Sequence, residues 1–190
     1  DGFCDIVVTL SHSQNMAVFM NRRDGSFSNP EIYDIADAPS SVCASDLDGD
    51  EDLDLAVTKL HSGEIMLLFN NGGGSFAFGS SYTAGDKPRS ICSYDLDCDD
   101  DQDLAAANAV SDNVTIFLNN GNGNIINTAN YYSGDYSYSI CGGDLDGDGD
   151  IDLAVADFYS DSVAILMNQA VPIDAEKSTW GSIKEQYKRH

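Results

Sequence analysis

The feature that most constrains the fold of this chain is an internal repeat of 49 residues. Three acidic segments begin at Asp46, Asp95 and Asp144, each 49 residues after the one before it. The same step aligns the strand-like segments DLAVTKL (54–60), DLAAANA (103–109) and DLAVADF (152–158) without a gap. A repeat of this length is typical of solenoids, propellers and arrays, in which each unit is one supersecondary structure.

One repeat shows how each unit should fold. Four strand-like segments, at 41–47, 53–60, 64–70 and 75–84, alternate with breaks that include Asn71-Gly72-Gly73-Gly74. Asparagine and glycine provide the positive φ angles that tight turns need. Four short strands per unit are typical of a propeller blade. We therefore expect an all-β fold, a β-propeller built from four-stranded blades.

The repeat also predicts the domain organisation. Residues 1–169 form about four blades, with units at 5–53, 54–102, 103–151 and a partial unit at 152–169. Because the chain enters the first unit part-way and the repeat stops near Gln169, we expect a partial propeller whose last blade lacks its fourth strand.

Residues 170–190 are expected to be a linker and a short basic tail. Trp180, Ile183 and Tyr187 stand at i, i+3 and i+7, which predicts one apolar face of a short amphipathic helix.

The charge of the chain excludes several classes of partner. Its 32 acidic and 9 basic residues give a formal net charge of -23. Such a chain repels nucleic acid and anionic membrane surfaces, and it has no apolar run long enough to span a membrane. Its natural small partners are cations.

The acidic residues are concentrated in the loops DLDGDEDLD (46–54), DLDCDDDQD (95–103) and DLDGDGDID (144–152). Neighbouring carboxylates repel one another by about 1 kcal/mol per pair even in water. Hard cations such as Ca²⁺ take six to eight oxygen ligands, mainly from carboxylates and carbonyls. Each loop therefore predicts a cation site.

These loops, the DLAV-like strands that follow them and the turns NNGGGSF and NRRDGSF resemble FG-GAP/VCBS repeats, the blades of integrin-alpha-type β-propellers. The resemblance covers residues 1 to about 169 and implies Ca²⁺ bound by the pattern DxDxDGxxD. In that pattern positions 1, 3, 5 and 9 provide side-chain oxygens and position 7 provides a backbone carbonyl. The implied side-chain ligands are Asp46, Asp48, Asp50, Asp54, Asp95, Asp97, Asp99, Asp103, Asp144, Asp146, Asp148 and Asp152. The implied carbonyls are those of Asp52, Asp101 and Asp150, and Asp1 and Asp5 take positions 5 and 9 of a fourth loop that the chain enters part-way.

An EF-hand loop also begins D-x-D-x-D-G, but it needs a bidentate glutamate at position 12. Val57, Ala106 and Val155 stand there, and strands instead of helices flank the loops, so the EF-hand interpretation fails.

Position 6 is usually glycine, as Gly149 is in the third loop, but it is Glu51 in the first and Asp100 in the second. A non-glycine residue in this turn costs about 1 kcal/mol. We therefore rank the loop at 144–152 as the most secure site, 46–54 next and 95–103 last.

Five cysteines are present, and three of them, Cys43, Cys92 and Cys141, stand one repeat apart. Equivalent sites on neighbouring blades lie too far apart for a disulfide, so we expect them to be small buried hydrophobes. Cys4 and Cys98 fall in acidic loops and have no evident mate.

The loops between blades should emerge on the face opposite the acidic loops. Aligned positions there differ between units, as a ligand-binding rim would, and tyrosines suit protein or sugar contacts. The candidate ligand-binding residues are Lys87, Arg89, Tyr136 and Tyr138.

The sequence shows no nucleophile–base constellation and no phosphate-binding loop, so we expect no enzymatic activity. We expect a calcium-stabilised propeller segment of an extracellular protein that serves adhesion or recognition, with a protein or glycan ligand on the face opposite the calcium loops. The alternatives are a carbohydrate-binding, lectin-like propeller and a non-catalytic part of a secreted polysaccharide lyase or other hydrolytic enzyme.

Overall fold

A computed structural model of the chain describes residues 2–169 and the backbone of one further strand, at 185–188. The described residues form fifteen β-strands and one 3₁₀ turn, at Ser11–Ser13. The strands are β1 Ile6–Leu10, β2 Asn15–Phe19, β3 Glu31–Asp34, β4 Pro39–Ser45, β5 Asp54–Lys59, β6 Glu64–Asn70, β7 Phe76–Thr83, β8 Pro88–Tyr94, β9 Asp103–Asn108, β10 Asn113–Asn119, β11 Ile125–Tyr132, β12 Ser137–Gly143, β13 Asp152–Asp157, β14 Ser162–Leu166 and β15 Glu185–Lys188. Within this part of the chain no helix is long and apolar enough to cross a membrane.

The strands form four separate sheets in which sequential neighbours pair antiparallel. Blade 1 has the order β1-β2-β3, blade 2 β4-β5-β6-β7, blade 3 β8-β9-β10-β11 and blade 4 β12-β13-β14-β15. Equivalent strands of successive blades begin 49 residues apart, as Pro39, Pro88 and Ser137 show. This arrangement confirms the predicted all-β fold of propeller blades.

Two expectations about the C-terminal end were wrong. Glu185–Lys188 forms β15, which pairs antiparallel with β14 and places Glu185 opposite Ile165. Blade 4 therefore has a fourth strand, and Tyr187 lies in a strand instead of a helix. Three apolar positions in eight residues were too short a pattern to outweigh the unpaired edge of β14. Trp180 and Ile183 lie outside the described residues.

Neighbouring blades pack face to face through hydrophobic clusters. At the boundary of blades 2 and 3, Leu47 and Leu67 pack against Leu104 and Phe117. At the boundary of blades 3 and 4, a separate cluster includes Leu96 and Leu166. Because each inner blade is covered on both sides, β9 is buried along its whole length, which explains why the DLAV-like segments read as continuous apolar runs.

Polar contacts between blades follow the same repeat. The backbone N–H of Ile91 donates to Oγ of Ser41 at 3.3 Å, and 49 residues later Ile140 donates to Ser90 at 3.3 Å. The sequence repeat is thus a repeat of blade–blade contacts, and it places each acidic loop at the same point of its blade.

Candidate functional site: the acidic loops

The three acidic loops connect the first and second strands of blades 2, 3 and 4. They run from the end of β4 to β5, from β8 to β9 and from β12 to β13. Equivalent connections in sheets of the same topology leave the blades at the same end, so the loops share one face of the propeller.

Each loop brings three carboxylates together. One oxygen from each member of a group lies within 4.8 Å of the others. The groups are Asp46, Asp48 and Asp50; Asp95, Asp97 and Asp99; and Asp144, Asp146 and Asp152. These are motif positions 1, 3 and 5 in the first two loops and 1, 3 and 9 in the third.

The aspartate at position 1 organises the turn. Asp46 accepts the backbone N–H of Gly49 on Oδ1 at 2.8 Å and that of Glu51 on Oδ2 at 3.0 Å. Asp95 makes the equivalent bonds to Cys98 and Asp100 in the second loop. The loop is therefore closed by its own carboxylate before any cation is considered.

The closed turn requires left-handed backbone at two positions. Glu51 and Asp100 have φ angles of 72° and 71° at position 6, where the third loop has Gly149. Cys98 has a φ of 64° at position 4, where the other loops have glycine. Left-handed backbone costs a non-glycine residue about 1–2 kcal/mol, which confirms the expectation that the first two loops carry backbone strain.

The aspartate at position 9 staples the loop to the rest of its blade. Asp103 is fully buried; it accepts the backbone N–H of Leu96 on Oδ2 at 3.0 Å and that of Asn119 on Oδ1 at 2.8 Å. Asp54 and Asp152 make the same two bonds in their loops. Sequence reasoning assigned these residues only as metal ligands. The signal for the staple was an asparagine 16 residues after each of them.

The aspartate at position 3 carries an unused buried oxygen in two loops. Oδ1 of Asp48 and Oδ1 of Asp97 are buried and have no hydrogen-bond partner among the described residues. Burial, followed by the charges of Asp99 and Asp95, raises the pKa of Asp97 to about 6. Burial and then the charge of Asp50 raise the pKa of Asp48 in the same direction. An oxygen that is desolvated, crowded by negative charge and unpaired fits a bound cation.

Position 7 brings its side chain against the next turn of the same blade. A Cβ on Gly121 would overlap Oδ1 of Asp101, and one on Gly72 would lie 3.0 Å from Oδ2 of Asp52. Glycine at these turns therefore makes room for the loop. The carbonyls of Asp52, Asp101 and Asp150 stay predicted ligands.

The first two loops are also held by the following blade. Nδ2 of Asn119, in blade 3, donates to the carbonyl of Leu47 in the first loop at 2.8 Å, and Asn168 of blade 4 does the same to Leu96 at 2.8 Å. Leu47 and Leu96 are buried, whereas the equivalent Leu145 of the third loop is 51% exposed. Loop conformation and blade packing are therefore coupled.

The fourth loop is described in part. Asp1 lies outside the described residues. Oδ1 of Asp5 accepts the backbone N–H of Asn21 at 2.7 Å, the bond that Asp54 makes to Asn70 one repeat later. Asp5 thus makes one of the two bonds of position 9.

On the opposite face, three of the four predicted ligand-binding residues meet. Nη2 of Arg89 lies 3.2 Å from Oη of Tyr136, and the guanidinium carbon lies 5.8 Å and 5.2 Å from the ring centres of Tyr136 and Tyr138. Lys87 is exposed in the turn before β8. Within the described residues no hydrogen bond, ion pair or ring contact joins it to the other three.

Sequence reasoning missed two aromatic residues of this group. The ring centre of Tyr159 lies 4.6 Å from that of Tyr136, and the ring centre of Phe158 lies 5.9 Å from that of Tyr138. Their repeat equivalents in blade 3 are Ala109 and Val110, so the aromatic pair breaks the repeat, which was the signal available.

A family model described as an FG-GAP-like repeat matches the chain three times, at residues 1–57, 46–106 and 95–155. The chain belongs to the FG-GAP-like repeat family. The second and third matches begin at Asp46 and Asp95, the first aspartates of two loops, so the family's unit and the 49-residue repeat coincide.

Comparison with solved structures supports the fold of this FG-GAP chain. Selenomethionine-substituted virginiamycin B lyase from Staphylococcus aureus aligns with a TM-score of 0.61 at 16% identity, over 97% of this chain and 52% of that one. The V. cholerae biofilm matrix protein Bap1 aligns with a TM-score of 0.59 at 16% identity, over 97% and 26%. A protein provisionally assigned as a 6-phosphogluconolactonase, from Bacteroides uniformis, aligns with a TM-score of 0.64 at 13% identity, over 90% and 51%.

The FG-GAP chain therefore spans about half, or less, of the length of these proteins. At such identities the likeness concerns the fold, since one fold supports many functions. No curated protein matches the sequence.

Proposed function

We propose that this chain is a calcium-binding segment of an extracellular FG-GAP propeller, in which Ca²⁺ is structural and the face opposite the acidic loops serves adhesion or recognition. The observation that carries the proposal is the unpaired, buried oxygen on Asp48 and on Asp97, each within a group of three carboxylates.

The donor set favours calcium over other metals. The ligands in reach are carboxylate and carbonyl oxygens, and the loops offer up to five of them in an irregular arrangement, which suits Ca²⁺ better than the strict octahedron of Mg²⁺. Zinc prefers sulfur and nitrogen. Cys98 is a thiol within the second loop, and burial, followed by the charge of Asp95, raises its pKa and keeps it protonated.

Calcium in these loops would act on stability. A cation that binds the folded loops and not the unfolded chain stabilises the fold by mass action. Calcium sites of extracellular modules have dissociation constants of about 10⁻⁴–10⁻³ M, which match extracellular calcium.

Calorimetric titration with CaCl₂ tests the proposal. We expect the protein to bind about one Ca²⁺ per complete loop, three in all, and the Asp46→Asn/Asp48→Asn double variant to bind one fewer. Asp86→Asn removes a charge from an exposed aspartate outside the loops and should leave the stoichiometry unchanged. An absence of calcium binding would refute the proposal. Calcium binding that the double variant and Asp86→Asn weaken equally would show a diffuse response to negative charge and would also refute it.

The second candidate function is carbohydrate binding by a lectin-like propeller, and the specific observation in its favour is the exposed ring of Tyr138 on the opposite face. It predicts an oligosaccharide ligand that is lost in Tyr138→Ala. Some proteins of similar fold are enzymes, as the names of the lyase and the assigned lactonase indicate. For this chain we propose a non-catalytic role, because its dominant chemical groups, the aspartates, serve the loops.

A further inference from the structure

The aromatic patch comprises Tyr136, Tyr138, Phe158 and Tyr159, and it lies where β12 begins and β13 ends, away from the acidic loops. Tyr138, Phe158 and Tyr159 are 46%, 61% and 63% exposed. Large aromatic rings exposed side by side on a blade surface are typical of binding sites.

The patch is held in place by its own contacts. The ring centre of Tyr136 lies 4.6 Å from that of Tyr159 and 6.1 Å from that of Phe158, and the centres of Phe158 and Tyr159 lie 5.2 Å apart. The backbone N–H of Phe158 donates to the carbonyl of Tyr136 at 3.0 Å. The rings are therefore positioned before any ligand arrives, which lowers the entropic cost of binding.

At one edge of the patch, the positively charged side chain of Arg89 already contacts the aromatic rings. The Arg89 guanidinium lies over the rings of Tyr136 and Tyr138, because the negative face of an aromatic ring attracts positive charge. Among the described residues no cation lies over Phe158 or Tyr159, so their ring faces are open to a cation from outside.

The residue beneath the patch adds a buried carboxylate that no cation pairs with among the described residues. Asp157 directly precedes Phe158 and is 3% exposed; Oδ1 accepts the hydroxyl of Ser137 at 3.2 Å, whereas Oδ2 has no hydrogen-bond partner among the described residues. Burial, followed by the like charges of Asp112 and Asp135, raises the pKa of Asp157 to about 6, whereas the hydroxyls of Ser137 and Ser162 act in the opposite direction.

The other blades fill the equivalent position differently. In blade 2 it is Lys59, whose Nζ lies 2.7 Å from Oε2 of Glu64. In blade 3 it is Asn108, whose amide donates to Asn113 and Thr115 at 2.8 Å. Blade 4 is thus the one of these three blades in which the position holds a carboxylate without a matching cation or amide donor.

We propose that the aromatic patch binds the side chain of a lysine or arginine presented by a basic segment of a partner protein. This inference rests on the recognition role proposed above and specifies its partner. The rings provide cation–π contacts, the buried carboxylate and its acidic neighbours provide the local field, and the net charge of -23 steers a basic partner towards the protein.

Fluorescence anisotropy with labelled ten-residue peptides tests this proposal in calcium-containing buffer. The probes are an alternating Gly-Arg peptide, a Gly-Glu peptide and a Gly-Ser peptide. We expect the Gly-Arg peptide to bind and the Phe158→Ala/Tyr159→Ala variant to bind it at least about fivefold more weakly, as two lost cation–π contacts require. Ile126→Ala is the matched control, because Ile126 is 65% exposed on β11 and its removal should leave affinity unchanged.

Three results would overturn the proposal. Unchanged affinity in the double variant would show that only the overall charge attracts the peptide, since that variant keeps every carboxylate. Equal binding of Gly-Ser or Gly-Glu would exclude a cationic ligand. Binding of a neutral oligosaccharide such as cellohexaose that the double variant loses, without Gly-Arg binding, would assign the patch to carbohydrate. None of these results bears on the calcium titration, so the two proposals fail separately.

Discussion

Single residues decide how well each acidic loop keeps its shape. The loop needs left-handed backbone at its fourth and sixth positions, and Glu51, Cys98 and Asp100 adopt it without being glycine. Because the first carboxylate of the loop accepts N–H groups from these same positions, the strain is the consequence of closing the loop around a cation-binding centre.

The substitution Glu51→Gly should therefore stabilise the protein. Removing the left-handed penalty of about 1–2 kcal/mol, less the entropic cost of glycine of about 0.5–1 kcal/mol, should raise the free energy of unfolding by up to about 1.5 kcal/mol. For a chain of this size each kcal/mol raises the thermal midpoint by about 2–4 °C.

The control for this prediction is Glu51→Gln, which removes the charge but keeps a side chain at a position with left-handed backbone. If it stabilises the protein as much as Glu51→Gly in a calcium-free buffer, relief of charge repulsion and not of backbone strain is the cause.

At the level of the element, the loop is a cluster of carboxylates that the fold forces together. Burial raises the pKa of Asp97 to about 6 and that of Asp103 to about 7. In the unfolded chain these groups titrate near 3.9. Between about pH 4 and pH 7 the calcium-free folded state therefore binds more protons than the unfolded state.

The sign of the pH dependence follows from linkage. Because the folded state binds more protons, the free energy of unfolding contributed by these groups falls as the pH rises through this window. We predict that in chelator the thermal midpoint is higher at pH 5 than at pH 8. Calcium competes with these protons, so the stabilisation by calcium should be larger at pH 8 than at pH 5.

Thermal unfolding at both pH values, with and without calcium, measures both effects. A calcium-free protein that gains stability from pH 5 to pH 8, or a calcium effect that is larger at pH 5, would contradict this account of the loop.

At the scale of the whole molecule, the blade is the repeating structural unit, and the hydrophobic core lies at the boundaries between blades. The clusters that hold the molecule together lie between blades, and the loop carbonyls of Leu47 and Leu96 receive hydrogen bonds from the following blade. A cation that fixes a loop thus also fixes a blade boundary, which connects metal binding to global stability.

The repeat made most of this architecture predictable. Residues that obey the 49-residue step, such as Asp48 and Asp97, could be placed in strands and loops because each environment occurs several times. Residues that depart from it could not: Phe158 and Tyr159 have no aromatic counterpart in the other blades, and Tyr187 follows a segment without repeat register. The two bonds that Asp103 accepts from the backbone N–H groups of Leu96 and Asn119 were harder to foresee, since their one sequence signal is indirect, the asparagine that recurs 16 residues after each position-9 aspartate.

Thermal unfolding at neutral pH with calcium or with a chelator tests the central claim most directly. With three sites of dissociation constant about 10⁻⁴–10⁻³ M, about 5 mM calcium should add about 1.1–2.3 kcal/mol per site. The midpoint should then rise by about 6 °C or more, and the same concentration of magnesium should raise it less. An identical midpoint in calcium and in chelator would contradict the claim that calcium is part of this fold.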